Sequence, residues 1–170
     1  MYKIVALIDG VSLYSTSKAL GFDVDFKRLL EWLRREKGSL LVRAYYFTLI
    51  EDTGEYSSLR PLADWLEYNG FSMVTKPAKV RSDGRRKGSM HVELAVVAME
   101  LAQTINHIVL FTGDGEYVAL VEALKRQGVV VTLVSSLVTE PPTVDDLLRR
   151  TADDFIELDR IAKVIERQRT

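Results

Sequence analysis

The segment His107-Ile-Val-Leu-Phe-Thr-Gly-Asp-Gly-Glu-Tyr117 changes character halfway along. Its first part is a short apolar run rich in β-branched residues, the pattern of a buried strand. Val118 to Gln127 then carries apolar residues at helical spacing, and Gly128 supplies a stop. Gly113 to Glu116 is therefore a strand-to-helix turn. It places Asp114 and Glu116 at the carboxyl end of a strand, the edge where ligands bind in open α/β sheets. Carboxylates gathered there call for a positive partner, and hard divalent cations such as magnesium and manganese suit carboxylate oxygens.

The same pattern recurs at the start of the chain. Lys3 to Ile8 is an apolar run too short for a helix, and Asp9-Gly10 closes it. It reads as a central parallel strand buried on both faces, with Asp9 at its carboxyl end. Further strands are expected at Leu40–Phe47, Phe71–Thr75 and Val129–Val134. Helices are expected at Phe26–Lys37 with Asp25 as cap, Ser57–Asn69, Met90–Gln103 with Ser89 as cap, Val144–Arg150 and Arg160–Arg169. In the Met90–Gln103 helix, Val92, Ala95, Val96 and Met99 are expected to face the core. Five strands alternating with helices make an α/β fold with a mostly parallel sheet. Right-handed crossovers set the first and fourth strands side by side at the switch point, which brings Asp9 and Asp114 together.

Composition bounds the chemistry. The chain has 170 residues, 47% hydrophobic and 28% charged, enough for one domain with a core. Net charge is −1, so nucleic-acid binding requires a local patch. With no cysteines, disulfides and thiolate metal sites are excluded. With two histidines, His91 and His107, a histidine-rich zinc site is not expected. No apolar run reaches the roughly 18 residues of a membrane span, and there is no signal-peptide pattern, so a cytoplasmic protein is expected. The local patch is Lys76, Lys79, Arg81, Arg85, Arg86 and Lys87 against the single acid Asp83. Pro77, Gly84 and Gly88 mark it as a loop. Such a cluster either supplies phosphate contacts or is a solvated surface. Arg43, Tyr45 and Tyr46 lie in the second strand, where aromatics more often belong to the core.

Several motifs together resemble the NYN-domain family, relatives of the PIN-domain nucleases, in its bacterial LabA-like branch. They are Ile8-Asp9-Gly10 with Leu13-Tyr14, Tyr68-Asn69-Gly70-Phe71 and Arg86-Lys87-Gly88-Ser89-Met90. They continue in Val92-Glu93-Leu94-Ala95-Val96, Thr112-Gly113-Asp114-Gly115-Glu116, and Leu148-Arg149-Arg150 followed by Ala152-Asp153. The resemblance covers nearly the whole chain and implies one domain over residues 1–170. It implies a three-layer α/β/α sandwich around a parallel sheet and magnesium- or manganese-dependent hydrolysis of RNA at an acidic cluster. Carried over residue by residue, Asp9, Asp114 and Glu116 are the catalytic and metal-holding acids. His91 joins them as a nitrogen ligand. Ser12 and the basic cluster, Lys76, Lys79, Arg81, Arg85, Arg86 and Lys87, contact single-stranded RNA.

The chain departs from the family at four positions. Glu116 stands where aspartate is usual and Ser12 where asparagine is usual. His91 and Val97 stand where the family has aspartate. Two-metal sites hold ions roughly 3.5–4 Å apart and need several carboxylates to offset that charge. Two readings follow: a ribonuclease with a weakened, one-ion site, or a catalytically silent relative that binds RNA or a protein and regulates. A small-molecule phosphatase using the same acids is a third. Leu133–Val138 and the terminal helix would serve either a homodimer interface or ordinary packing.

Overall fold

The computed structural model describes residues 1–51, 59–84 and 86–168. One continuous sheet runs through it, in the order β4-β3-β2-β1-β5-β6-β7. The strands are β1 (Tyr2–Asp9), β2 (Ser39–Glu51), β3 (Phe71–Val80), β4 (Arg86–Lys87), β5 (His107–Phe111), β6 (Val130–Ser135) and β7 (Asp154–Glu157). Every pairing is parallel except β3 with β4. Between the strands run α1 (Gly10–Leu20), α2 (Phe26–Leu33), α3 (Leu59–Tyr68), α4 (His91–Leu101), α5 (Val118–Arg126) and α6 (Asp146–Thr151), and α7 (Leu158–Ile165) follows β7.

Strand alternation builds two cores. On β1, Ile4, Ala6 and Ile8 join one buried cluster with Leu13 of α1, Leu29, Leu30 and Leu33 of α2, Leu66 of α3 and Ala162 and Ile165 of α7. Val5 and Leu7 point the other way, into a cluster with Leu94 and Ala98 of α4, Leu120, Val121 and Leu124 of α5 and Leu148 of α6. Helices therefore cover both faces, as a parallel sheet requires, and the architecture is the three-layer α/β/α sandwich. The first strand and the fourth of the expected set, β1 and β5, are neighbours, with Ile8 opposite Phe111. The switch point thus lies between Asp9 and Thr112.

The sheet has seven strands where five are expected. The two additional strands are short: β4 has two residues and β7 has four. Neither is long enough for a period to show. The basic stretch is a correction too. Pro77 reads as a loop marker, yet β3 continues through Lys76, Pro77 and Lys79 beside β2, with Ile50 opposite Pro77. Proline is tolerated there because this outer strand meets β4 only at Lys79 and Val80. The stretch is an edge hairpin rather than an open loop.

Helix α4 also differs from expectation. Its buried residues are Leu94 and Ala98, while Val92 and Val96 are exposed. The helix is apolar nearly all round, so its sequence period does not identify the inner face. Ser89 caps nothing: Met90 is the N-cap residue, without a side-chain bond. The terminal helix starts at Leu158, capped by Glu157, which accepts from the Asp159 amide. Ser57 and Ser58, which the sequence places at the start of the Ser57–Asn69 helix, lie outside the described residues. Within Leu133–Val138, Leu133 and Val134 are core, whereas Leu137 and Val138 are exposed. No helix is long and apolar enough to cross a membrane among the described residues.

Candidate functional site

Asp9 ends β1 and caps α1. Its extended backbone and short carboxylate let Oδ1 accept the Ser12 amide, at 3.4 Å. Gly10 follows because nothing larger fits: a Cβ there would lie 2.7 Å from the Tyr46 ring and 2.8 Å from the Phe47 carbonyl oxygen. Across the switch point, the buried Thr112 joins the two acid-bearing turns. Its hydroxyl donates to Asp9 Oδ2 at 3.0 Å and accepts the Asp114 amide at 3.2 Å. Asp114 then caps the 3-10 turn Gly115–Tyr117, its Oδ1 accepting the Glu116 amide at 2.9 Å. The two aspartates are thus drawn to one spot through a single threonine.

The two carboxylates also interact electrostatically. The Asp9 carboxyl is held above its ordinary value, first by burial and further by the Asp114 charge. The Thr112 and Ser12 bonds and His91 oppose that rise without cancelling it. The Tyr117 phenol is pushed up by burial, then by Asp9, Asp114 and Glu93. Its hydroxyl is buried with no hydrogen-bond partner among the described residues. Tyr117 also supports His91, whose ring meets it edge-on at 5.0 Å and 85°.

His91 opens α4 and faces this pair. Its Nε2 lies 2.7 Å from Asp114 Oδ2, both side chains a little over one-third exposed. The imidazole nitrogen and the carboxylate oxygen are thus engaged with each other. Glu116 remains exposed, and only its backbone joins the turn. Val97 is half-buried and packs against the core beneath α4. Asp145 approaches from α6, its carboxyl carbon 2.8 Å from where a Gly115 Cβ would stand, but that carboxylate accepts the Leu148 amide and caps α6. Among the described residues no three His, Asp or Glu side chains come together to hold an ion. The donor set Asp9, Asp114, Glu116 and His91 therefore does not fit a metal centre as it stands.

The remaining site residues are placed unevenly. Ser12 faces inward, its hydroxyl accepting the Gly113 amide at 3.0 Å, so it splices the two turns rather than facing solvent. Lys76 Nζ reaches Glu93 of α4 at 2.6 Å and ties the hairpin to that helix. The lysine holds the Glu93 carboxyl below its ordinary value. Lys79 and Arg81 are exposed and form no ion pair among the described residues. Backbone pairing sets Lys87 opposite Lys79 and Arg86 opposite Val80. Arg85 lies outside the described residues. Sequence reasoning missed Thr112 as the link, Tyr117 as the buried wall and Glu93 as the partner of Lys76. Only Thr112 left a signal, as the residue directly before the Gly-Asp-Gly turn.

The NYN-domain family model matches residues 3–159. The chain belongs to the NYN-domain family. Its relatives include the low amplitude and bright protein LabA of Synechococcus elongatus, 24% identical over 168 residues, covering 97% of this chain and 88% of LabA. A solved structure of a protein of unknown function from Vibrio parahaemolyticus shares the fold. It superposes with a TM-score of 0.76 at 24% identity, covering 98% of this chain and 96% of that one. In this chain Asp9 and Asp114 stand at neighbouring strand ends, and His91 is in contact with Asp114.

Proposed function

We propose that this NYN protein binds single-stranded RNA along the carboxyl edge of its sheet and that its nuclease centre is blunted, so that it acts by holding RNA rather than cutting it. The observation that carries this reading is the 2.7 Å contact between His91 and Asp114. Phosphoryl hydrolysis in this family's manner needs carboxylates free to hold a cation, which would activate water and offset transition-state charge. Here one of the two retained aspartates is engaged by an imidazole, and Val97 offers no oxygen. The binding half of the reading draws on the edge hairpin. Lys79 and Arg81 are exposed, and the backbone register aligns Lys87 and Arg86 beside β3. Cations in a row suit a phosphodiester backbone.

A labelled single-stranded RNA, incubated with manganese, tests both halves. The wild type should retain the RNA without cutting it. The double change His91→Asp and Val97→Asp should install cleavage, and adding Asp114→Asn should remove it again. Cleavage by the wild type that Asp114→Asn abolishes would instead establish the alternative, a weakened ribonuclease. That alternative draws on the electrostatic closeness of Asp9 and Asp114.

A further inference from the structure

A concavity beside α1, lined by Leu13, Tyr14 and Ser17 of that helix, is left unused by the RNA reading. Its volume is ≈ 230 Å³, and Tyr14, Asp23, Phe26, Tyr46, Leu62 and Arg167 contribute to its lining. Tyr46 is buried and stands edge-on to Phe26, with ring centroids 5.6 Å apart at 83°. Its phenol is pushed up to about 12 by burial and then by the charge of Asp9, so the cavity lies within electrostatic reach of the acidic edge. Tyr46 pairs in register with Ile8, the residue before Asp9, and its ring occupies the space that a Gly10 side chain would need.

The outer wall is Tyr14, one helical turn along from Gly10 and 63% exposed. A large ring held that far into water on an ordered helix loses apolar burial and is suited to meet a partner. Lys18 stands beside it, with Nζ 5.5 Å from the Tyr14 ring centroid and 3.0 Å from Asp23 Oδ1. The backbone amide of Arg167 donates to the Asp23 carbonyl at 2.8 Å, which holds the C-terminal segment on the rim. The rim thus presents a carboxylate, a guanidinium and an ammonium around an aromatic interior.

The size narrows the occupant. Sites for whole drug-sized ligands run to roughly 300–1,000 Å³; this cavity is smaller and accommodates about one ring system. A nucleobase has a π face for Tyr14 and carbonyl acceptors for the Arg167 guanidinium. Stacking on aromatics is how single-stranded nucleic acids are held without reading their sequence. We propose that this cavity receives one unpaired nucleobase of the RNA strand lying along the carboxyl edge, with Tyr14 as its stacking platform. This rests on the RNA reading above.

The test uses short oligoribonucleotides carrying 2-aminopurine at successive positions, titrated with the wild type, Tyr14→Ala, Tyr14→Trp and the double variant Lys79→Glu with Arg81→Glu. Base–aromatic stacking is worth about 1–3 kcal/mol per base, so Tyr14→Ala should weaken binding about tenfold or more. It should also remove the fluorescence change at one position, and Tyr14→Trp should keep both. Tyr14 is largely exposed, so the fold tolerates these changes. If Tyr14→Ala binds like the wild type while the hairpin variant binds weakly, the cavity proposal falls and the RNA reading stands. If no protein binds any oligonucleotide, both fall. If the cavity takes free mononucleotides in a Tyr14-dependent way but no strand, the proposed occupant is wrong.

Discussion

Replacing Thr112 with valine isolates the link that joins the two aspartates. The shape is kept and the hydroxyl is lost, with it a bond donated to Asp9 Oδ2 at 3.0 Å and one accepted from the Asp114 amide at 3.2 Å. A hydrogen bond to a charged group contributes about 1.5–3 kcal/mol and an ordinary one about 0.5–1.5. Thr112 is only 1% exposed, so water does not replace either. A total loss of about 2–4 kcal/mol at neutral pH follows, or a fall in Tm of roughly 4–16 °C at about 2–4 °C per kcal/mol for a domain of this size. The loss depends on pH with a defined sign. The Asp9 carboxyl already sits above its ordinary value of 3.8 in the fold, and the Thr112 bond is the largest of the contacts that restrain it. A raised carboxyl favours the folded state at low pH, and that contribution disappears as pH rises through the folded value. Without Thr112 the Asp9 carboxyl rises further; the unfolded chains titrate alike, so the variant's deficit is full above its new folded value, shrinks as pH falls from there to the wild type's folded value, and is smallest below that. Thermal unfolding of both proteins at neutral pH and at about pH 3.5 measures this. A deficit below about 1 kcal/mol, or one equal at both pH values, would show that Thr112 does not restrain Asp9.

Three further outcomes follow from the same geometry. Gly113→Ala would place a Cβ 2.1 Å from the Thr143 carbonyl oxygen and 2.8 Å from Ser135 Oγ; a backbone atom cannot step aside cheaply, so denaturant unfolding should show a loss of about 3 kcal/mol or more. Tyr117→Phe removes a buried hydroxyl without a partner among the described residues; since such a group costs about 1–3 kcal/mol, the variant should melt a few degrees higher than the wild type. Glu93→Gln frees Lys76 from a half-exposed ion pair. Stability should change by less than about 1 kcal/mol, while RNA binding tightens and its log–log salt dependence steepens by about 0.7.

The parts of the fold that sequence makes legible are those with a strong period or a topological rule behind them. Lys3–Ile8 and His107–Phe111 are continuous apolar runs, and the handedness of crossovers makes them neighbours, so the meeting of Asp9 and Asp114 could be reasoned before any coordinates. The strand through Lys76–Val80 was hidden because Pro77 and the lysines look like a loop; pairing with β2 overrides local composition there. Strands β4 and β7 were too short to carry a pattern. Valines surround α4, so its period does not mark the inner face, and only the packing of Leu94 and Ala98 distinguishes inside from outside. At the site, residue identities marked which carboxylates were absent, but not what His91 does instead. That required the first turn of α4 to be set against the β5 turn, a tertiary fact with no local signature.

The account depends on His91 and Asp114 satisfying one another, so the most direct measurement is calorimetric titration of manganese into the protein. The wild type should show no saturable uptake at concentrations that saturate the His91→Asp, Val97→Asp variant. Saturable uptake by the wild type that disappears in Asp114→Asn would contradict it.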